Sequence, residues 1–300
     1  MDSEALRTFL IVQQTGGFSA AAERLLRSQP AISRRIAQLE ADVGAPLFER
    51  AAGGVVLSQA GRVLLPYAER VMAALKDAED ALGALAAGAG PVSLAAVGTL
   101  AGERLTGALI RFGRAFPDAR LALRTAASAE VSDLVRTGEV AIGLRYFDDP
   151  APDLTCEILG RERLVVACGC GHPSAGRTLA SLRLLRGDPW MAFPDLSARR
   201  EVSTANIFAQ FLAQGVAELN WTPVDSLTAQ KRLIEAGFGL ALLPESAIED
   251  ELRRGSLATI AIEGLDAANP IAVITRRNGY LSPAAVELLA LLRGEFAVGS

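Results

Sequence analysis

The chain has 300 residues, half of them hydrophobic and 21% charged, which supplies enough apolar surface for packed cores and argues against general disorder. With 30 Lys and Arg against 34 Asp and Glu, the formal net charge is −4, so any contact with nucleic acid must be local. Three cysteines do not make a disulfide scaffold, which points to a reducing cytosol, and a single histidine, His172, argues against Ser-His-Asp catalysis and poly-histidine metal sites.

The length predicts two or three folding units. At the N-terminus the apolar residues are spaced, and no window reaches the ~18 uninterrupted apolar residues of a spanning helix. Neither a leader nor a membrane contact is therefore expected. Residues 1–57 read as short helices and a hairpin. Leu6, Phe9, Leu10 and Gln13 share one face of a first helix that Gly16-Gly17 ends. Ser19 is placed to cap a second helix, whose Ala20, Ala21 and Ala22 permit close approach of a neighbour. In a third, Ile32, Ile36, Leu39 and Val43 form an amphipathic stripe, with Pro30 in the first turn and Ser28 or Gln29 as cap. "FERAAGGVVL" reads as two short strands turning at Gly53-Gly54.

Residues 58–85 predict one long helix. Leu64, Ala68, Val71, Leu75, Ala78, Leu82 and Leu85 alternate spacings of four and three, a heptad seam that predicts self-association, and Pro66 is expected to perturb the first turns. A small-residue linker, "GALAAGAGP", follows. Beyond it strands and helices alternate in two sets, with helices expected over 103–116, 130–137, 179–185, 200–212, 227–236 and 283–296. This rhythm predicts parallel sheets in two halves, with a ligand cleft beyond the strand C-termini.

On a helical wheel Ser33, Arg34, Ala37 and Gln38 point away from the apolar stripe of the third helix, Gln29 and Pro30 sit in its first turn, and Arg35 lies nearer the buried flank. A helix N-terminus aims its positive dipole end at phosphates, and Gln and Arg pair bidentately with adenine and guanine edges. The spacing of the second and third helices is that of a helix-turn-helix. From residue 20 to 62 there are six basic residues against four acidic, an excess thin enough that a dimer's doubled surface is needed.

The stretch "FSAAAERLLRSQPAISRRIAQLEADVGAPLFER…LSQAG" resembles the N-terminal signature of LysR-type transcriptional regulators, and the resemblance continues over the rest of the chain. It implies an α/β multidomain protein: an N-terminal winged helix-turn-helix over 1–57, a dimerising linker helix over 58–87, a hinge at 88–91, and a two-lobed effector domain like periplasmic binding proteins. The lobes would be 92–161 with 268–300, and 162–267. The residues matching DNA-contacting positions are Gln29, Pro30, Ser33 and Arg34, with Arg35 reaching sideways and Arg50 beside the wing. The wing turn lacks the basic residues the family often carries there. The implied partners are promoter DNA, a small-molecule inducer, RNA polymerase and further copies of the chain in a homodimer or homotetramer. The implied location is the cytoplasm, and no enzymatic activity, cofactor or metal is expected.

Thr99, Ser128 and Arg145 each follow or end a predicted strand, where their side chains would converge and suit a small carboxylate. The resemblance places the inducer cleft there, with Leu100 beside Thr99 and the other wall from Phe193-Pro194 and the turn holding Val224 and Asp225. Helix capping is an alternative role for Thr99 and Ser128. "CGCGHP" offers a second chemistry. Cys168, Cys170 and His172 alternate and would share one face if the preceding strand continued, and with Cys156 they would form a redox- or metal-responsive site; free cysteines are also often inert core residues. A solute-binding α/β protein without DNA is the remaining alternative. The absence of a P-loop, a dinucleotide fingerprint and G-x-S-x-G argues against common enzymes.

Overall fold

The computed structural model describes residues 1–51, 54–87, 90–193, 209–216 and 219–297. The expectations for Gly53, for residues 88–89 of the hinge, for Pro194 and for most of the helix over 200–212 fall outside these residues.

Helix α1 (Ser3–Thr15) starts where the Asp2 carboxylate accepts the Ala5 N–H and stops at the left-handed Gly16. In α2 (Phe18–Arg24) the cap position belongs to Gly17, two residues before the expected Ser19, which is the second residue of the helix. Helix α3 (Gln29–Val43) has Ser28 at its cap position without a side-chain cap bond, and Pro30 in its first turn. Phe9, Val12, Ala21, Ile32, Ile36 and Leu39 are all buried where the three helices meet. Strands β1 (Phe48–Ala51) and β2 (Gly54–Leu57) form an antiparallel wing. The Glu40 carboxylate, in the last turn of α3, accepts the Leu47 N–H at 2.7 Å and so orients the wing on the helix.

Helix α4 (Gln59–Ala87) continues through Pro66. Its Gly61 lies so close to the wing that an added Cβ would meet the Leu47 carbonyl oxygen at 2.2 Å. The expected heptad seam needs correcting at its start. Ala68 is fully buried and Leu64 half-buried against the N-terminal core, because this end of α4 packs across α1. The apolar stripe left exposed is Val63, Tyr67, Val71, Leu75, Leu82 and Leu85. Further along, α4 is tied to the effector domain: Asp77 takes a two-pronged ion pair from Arg276, with both side chains largely buried.

The effector domain contains β3 (Val92–Val97), α5 (Glu103–Ala115), β4 (Leu121–Ala126), α6 (Ser128–Arg136), β5 (Ile142–Tyr146), β6 (Leu154–Gly169), β7 (Thr178–Leu179), β8 (Trp190–Ala192), β9 (Trp221–Pro223), α7 (Leu227–Glu235), β10 (Leu240–Pro244), α8 (Glu249–Arg254), β11 (Leu257–Ile262), β12 (Ala268–Arg276) and α9 (Pro283–Phe296). The main sheet runs β4-β3-β5-β12-β6-β10-β8-β9, with β11 beside β6. It is mixed, where a parallel sheet was expected. β3, β4 and β5 are parallel, as are β10, β8 and β9, but β12 and β6 run antiparallel to their neighbours.

The long strand β6 explains this. Its first part pairs with β12 in the first lobe and its last part with β10 and β11 in the second, so one strand crosses between them. In the first lobe, α5 and α9 cover one sheet face over Leu94, Ile142, Leu144 and Val273, and α6 covers the other, packing its Val131 and Val135 on Ala95 and Ile274. In the second lobe, Trp190 stacks edge-on against Phe211 in a core with Val166, Cys168 and Leu240. The helix predicted over 179–185 is a short 3-10 turn, Leu182–Leu185.

Candidate DNA interface and interlobe crevice

Gln29, Pro30 and Arg34 are exposed along the outer side of α3. Gln29 Nε2 donates to Ser33 Oγ at 2.9 Å, one turn on, so the amide and hydroxyl are presented as a pair. The two adjacent arginines part company. Arg34 is exposed, whereas Arg35 is half-buried and its guanidinium bonds the Glu4 carboxylate of α1 at 2.7 Å. Arg50 is exposed on β1, across a concavity of about 790 Å³ that Gln29 and Ser33 also line. The turn into α3 carries a feature the sequence did not signal: Leu26 sits at φ 51 with its side chain 92% exposed, a left-handed conformation that costs a branched side chain free energy.

The seven effector candidates have several different surroundings. Thr99 lies in a 3-10 turn directly after β3 and its hydroxyl donates to the Tyr146 phenol oxygen at 3.0 Å. Leu100 is buried in the first lobe's core. Arg145, the residue before Tyr146 on β5, points to the opposite face, because successive side chains alternate along a strand. There its guanidinium bonds Ser132 Oγ at 2.5 Å, Asp149 at 2.6 Å and the Tyr146 carbonyl at 3.1 Å. Burial pushes the Asp149 carboxyl up, but Ser132, the Ala151 N–H and Arg145 outweigh it and hold the group below the usual carboxylate range. The expected carboxylate partner is thus already engaged, by a carboxylate of the chain itself. Ser128 is the first residue of α6 and half-buried; Ala127, not Ser128, holds the cap position. Phe193 and Val224 do come together, since they follow the neighbouring parallel strands β8 and β9 and the Val224 N–H donates to the Ala192 carbonyl at 2.9 Å. Asp225 beside them is exposed.

A second opening lies between the lobes. The start of α5 faces α7 and the turn from Ser246 into α8 across a crevice of about 480 Å³, and Thr99 is the effector candidate that lines it. Its remaining lining was not anticipated, although the acidic run "PESAIEDE" after β10 was visible in the sequence. Behind the lining residue Ser246, to which it is hydrogen-bonded, Glu162 of β6 is buried. Desolvation raises its carboxyl above the ordinary value, opposed by hydrogen bonds from Ser246.

The cysteine site does not assemble. Cys168 is fully buried in the second lobe's core and burial pushes its thiol up to about 11, while Cys170 lies beyond the end of β6 and is exposed. His172 accepts the Ser174 N–H through Nδ1 and faces Asp188 through Nε2 at 3.4 Å. Among the described residues no group of three ligating side chains could hold a metal ion. No helix of those residues is long and apolar enough to cross a membrane.

A winged helix-turn-helix joined by a long helix to a two-lobed α/β domain defines a DNA-binding regulator with an effector domain. Comparison with known families agrees over nearly the whole chain: residues 3–62 match the bacterial regulatory helix-turn-helix proteins of the lysR family, and residues 86–297 match the LysR substrate binding domain. The chain belongs to the LysR family of DNA-binding transcriptional regulators that respond to effectors. It is 30% identical over 274 residues to the transcriptional regulator TdfR of Cupriavidus pinatubonensis, covering 91% of each chain. Among solved structures it is similar to CbnR, a LysR family transcriptional regulator, at a TM-score of 0.66 and 26% identity over 99% of both chains. It is also similar to CbnR complexed with its target DNA, at 0.63 and 26% over 98% of this chain and 100% of that one.

Proposed function

We propose that this chain is a cytoplasmic regulator whose homodimer or homotetramer lays paired α3 helices into the major groove of promoter DNA and alters recruitment of RNA polymerase when a small-molecule inducer binds between the effector lobes. The observation that carries the reading is the outer side of α3, where Gln29, Pro30, Ser33 and Arg34 stand clear of the core. Two half-sites on a pseudo-palindrome suit a two-fold dimer. In this reading residues 1–57 bind DNA, 58–87 pair the copies, 88–91 is the hinge, 92–161 with 268–300 forms one lobe and 162–267 the other. Arg50 contacts the backbone from the wing, and no step is catalytic.

The arginine pair provides the test. Arg34→Ala removes an exposed base or phosphate contact, worth about 1–3 kcal/mol where it reads a base, so affinity for promoter DNA falls roughly tenfold or more. Arg35→Ala removes an exposed ion pair with Glu4 and costs less than about 1 kcal/mol. Fluorescence anisotropy titrations at fixed salt measure both. Equal losses would show that α3 does not present this face to DNA.

A further inference from the structure

The side of α4 that meets the first lobe has the make-up of a contact that can be released. We infer that Asp77 and Arg276 form a latch across the linker at 88–91. Closed, it fixes the effector domain on α4; open, it lets the effector domain turn on that linker.

Contacts at Ala73, Asp77 and Ala84 make the latch, and their spacing keeps them on one side of the helix. Ala73 is 1% exposed and lies against Gly138, where an added Cβ would come within 3.2 Å of its own. Asp77 accepts from Arg276 Nη1 at 3.0 Å and from Nη2 at 2.5 Å. Ala84 lies against Gly90, where an added Cβ would come within 3.0 Å. The next residue, Pro91, is held from the other side, its carbonyl accepting the Ser282 hydroxyl at 3.2 Å.

The first lobe presents a shaped socket for Asp77. The end of β12 is pinned by Arg277, whose N–H donates to the Asp153 carbonyl at 2.8 Å and whose Nε donates to the Pro152 carbonyl at 2.7 Å. The guanidinium carbon of Arg276 lies 3.5 Å from where a Cβ of Gly138 would be and 3.4 Å from that of Gly279, so two glycines flank the slot it occupies.

This joint is closely fitted but small and polar. Its α4 side offers alanines and an aspartate, whereas Val71, Leu75, Leu82 and Leu85 are exposed. Small polar interfaces between domains permit relative motion that large apolar ones forbid. The ion pair therefore decides the setting: with one partner removed, the other is left largely buried without its counter-charge. The linker "GALAAGAGP" has the small-residue composition of a flexible connection. In the dimer proposed above, closed latches hold the effector domains at a fixed angle to the paired α3 helices, and opening them changes that angle without disturbing either core.

Small-angle X-ray scattering of the full-length parent, Asp77→Ala and Arg276→Ala tests this. Sedimentation at the same concentrations checks that all three share one oligomeric state, so that dissociation is not mistaken for opening. Alanine is a strong helix former, so Asp77→Ala keeps α4 intact. The expected result is a shift of the pair-distance distribution to longer distances in both variants, with the parental circular dichroism spectrum. Curves that superpose on the parent's in both would overturn the inference. So would a shift in one variant and not the other, since either deletion breaks the same pair. If Arg276→Ala loses the parental circular dichroism spectrum, Asp77→Ala alone decides.

Discussion

At the scale of single residues, what a side chain touches decides its role more than where it stands in the sequence. Arg145 ends a strand at the lobe boundary, yet one-residue alternation turns it from Thr99 toward α6, where Asp149 and Ser132 hold it. This network has a pH signature. The folded-state pKa of Asp149 lies below the ordinary carboxylate value near ~3.9, so its contribution is fully present above that value and is lost as pH falls through the folded one. Asp149→Asn removes a charge-assisted bond worth about 1.5–3 kcal/mol at neutral pH. The expected outcome is a lowered melting temperature at pH 7 and a difference from the parent that shrinks below about pH 4, followed by thermal denaturation across pH. A difference that stayed constant with pH would show that the ion pair is not what stabilises the strand end. Asp149 stands only four residues after Arg145 in the sequence, but the sequence does not show on which side of β5 the arginine lies or that the chain folds the two together.

Among the elements, α4 shows both the reach and the limit of periodicity. A repeat of fours and threes correctly identified a long amphipathic helix, but it does not say which face meets the helix's own domain. Ala68 is fully buried against the N-terminal core, whereas Val71 and Leu75 are 44% and 43% exposed. In the proposed dimer the exposed stripe from Val63 to Leu85 is the surface that pairs. Val71→Asp is therefore expected to weaken dimerisation at least tenfold by sedimentation equilibrium while the melting of the N-terminal domain changes little. Retention of the parental association constant would place the interface elsewhere. Helix α3 was more legible, since its cap position, its Pro30 and its apolar stripe all lie within one segment. The long β6 was less so: Glu157, Arg161 and Glu162 interrupt any apolar run in its first part, which is strand through its pairing with β12.

For the whole molecule, the connections that matter run between segments far apart in sequence. β6 serves both lobes, and Arg276 at the end of β12 grips Asp77 of α4, so the effector domain is joined to the helix that carries the DNA-reading module. Close packing supports the same joint, since a Cβ on Gly138 would come within 3.1 Å of Ala73 Cα. Such long-range pairs leave no trace in periodicity or spacing. The architecture was legible because its signature is carried in contiguous stretches; the lining of the crevice was not, because it depends on which residues two distant segments bring face to face. The central claim, that this chain reads DNA through paired α3 helices, is tested most directly by footprinting the full-length protein on the DNA upstream of its own gene over a range of salt concentrations. Two protected half-sites about one helical turn or a multiple of it apart, weakening steeply as salt rises, are predicted. No protected site at any salt concentration would contradict it.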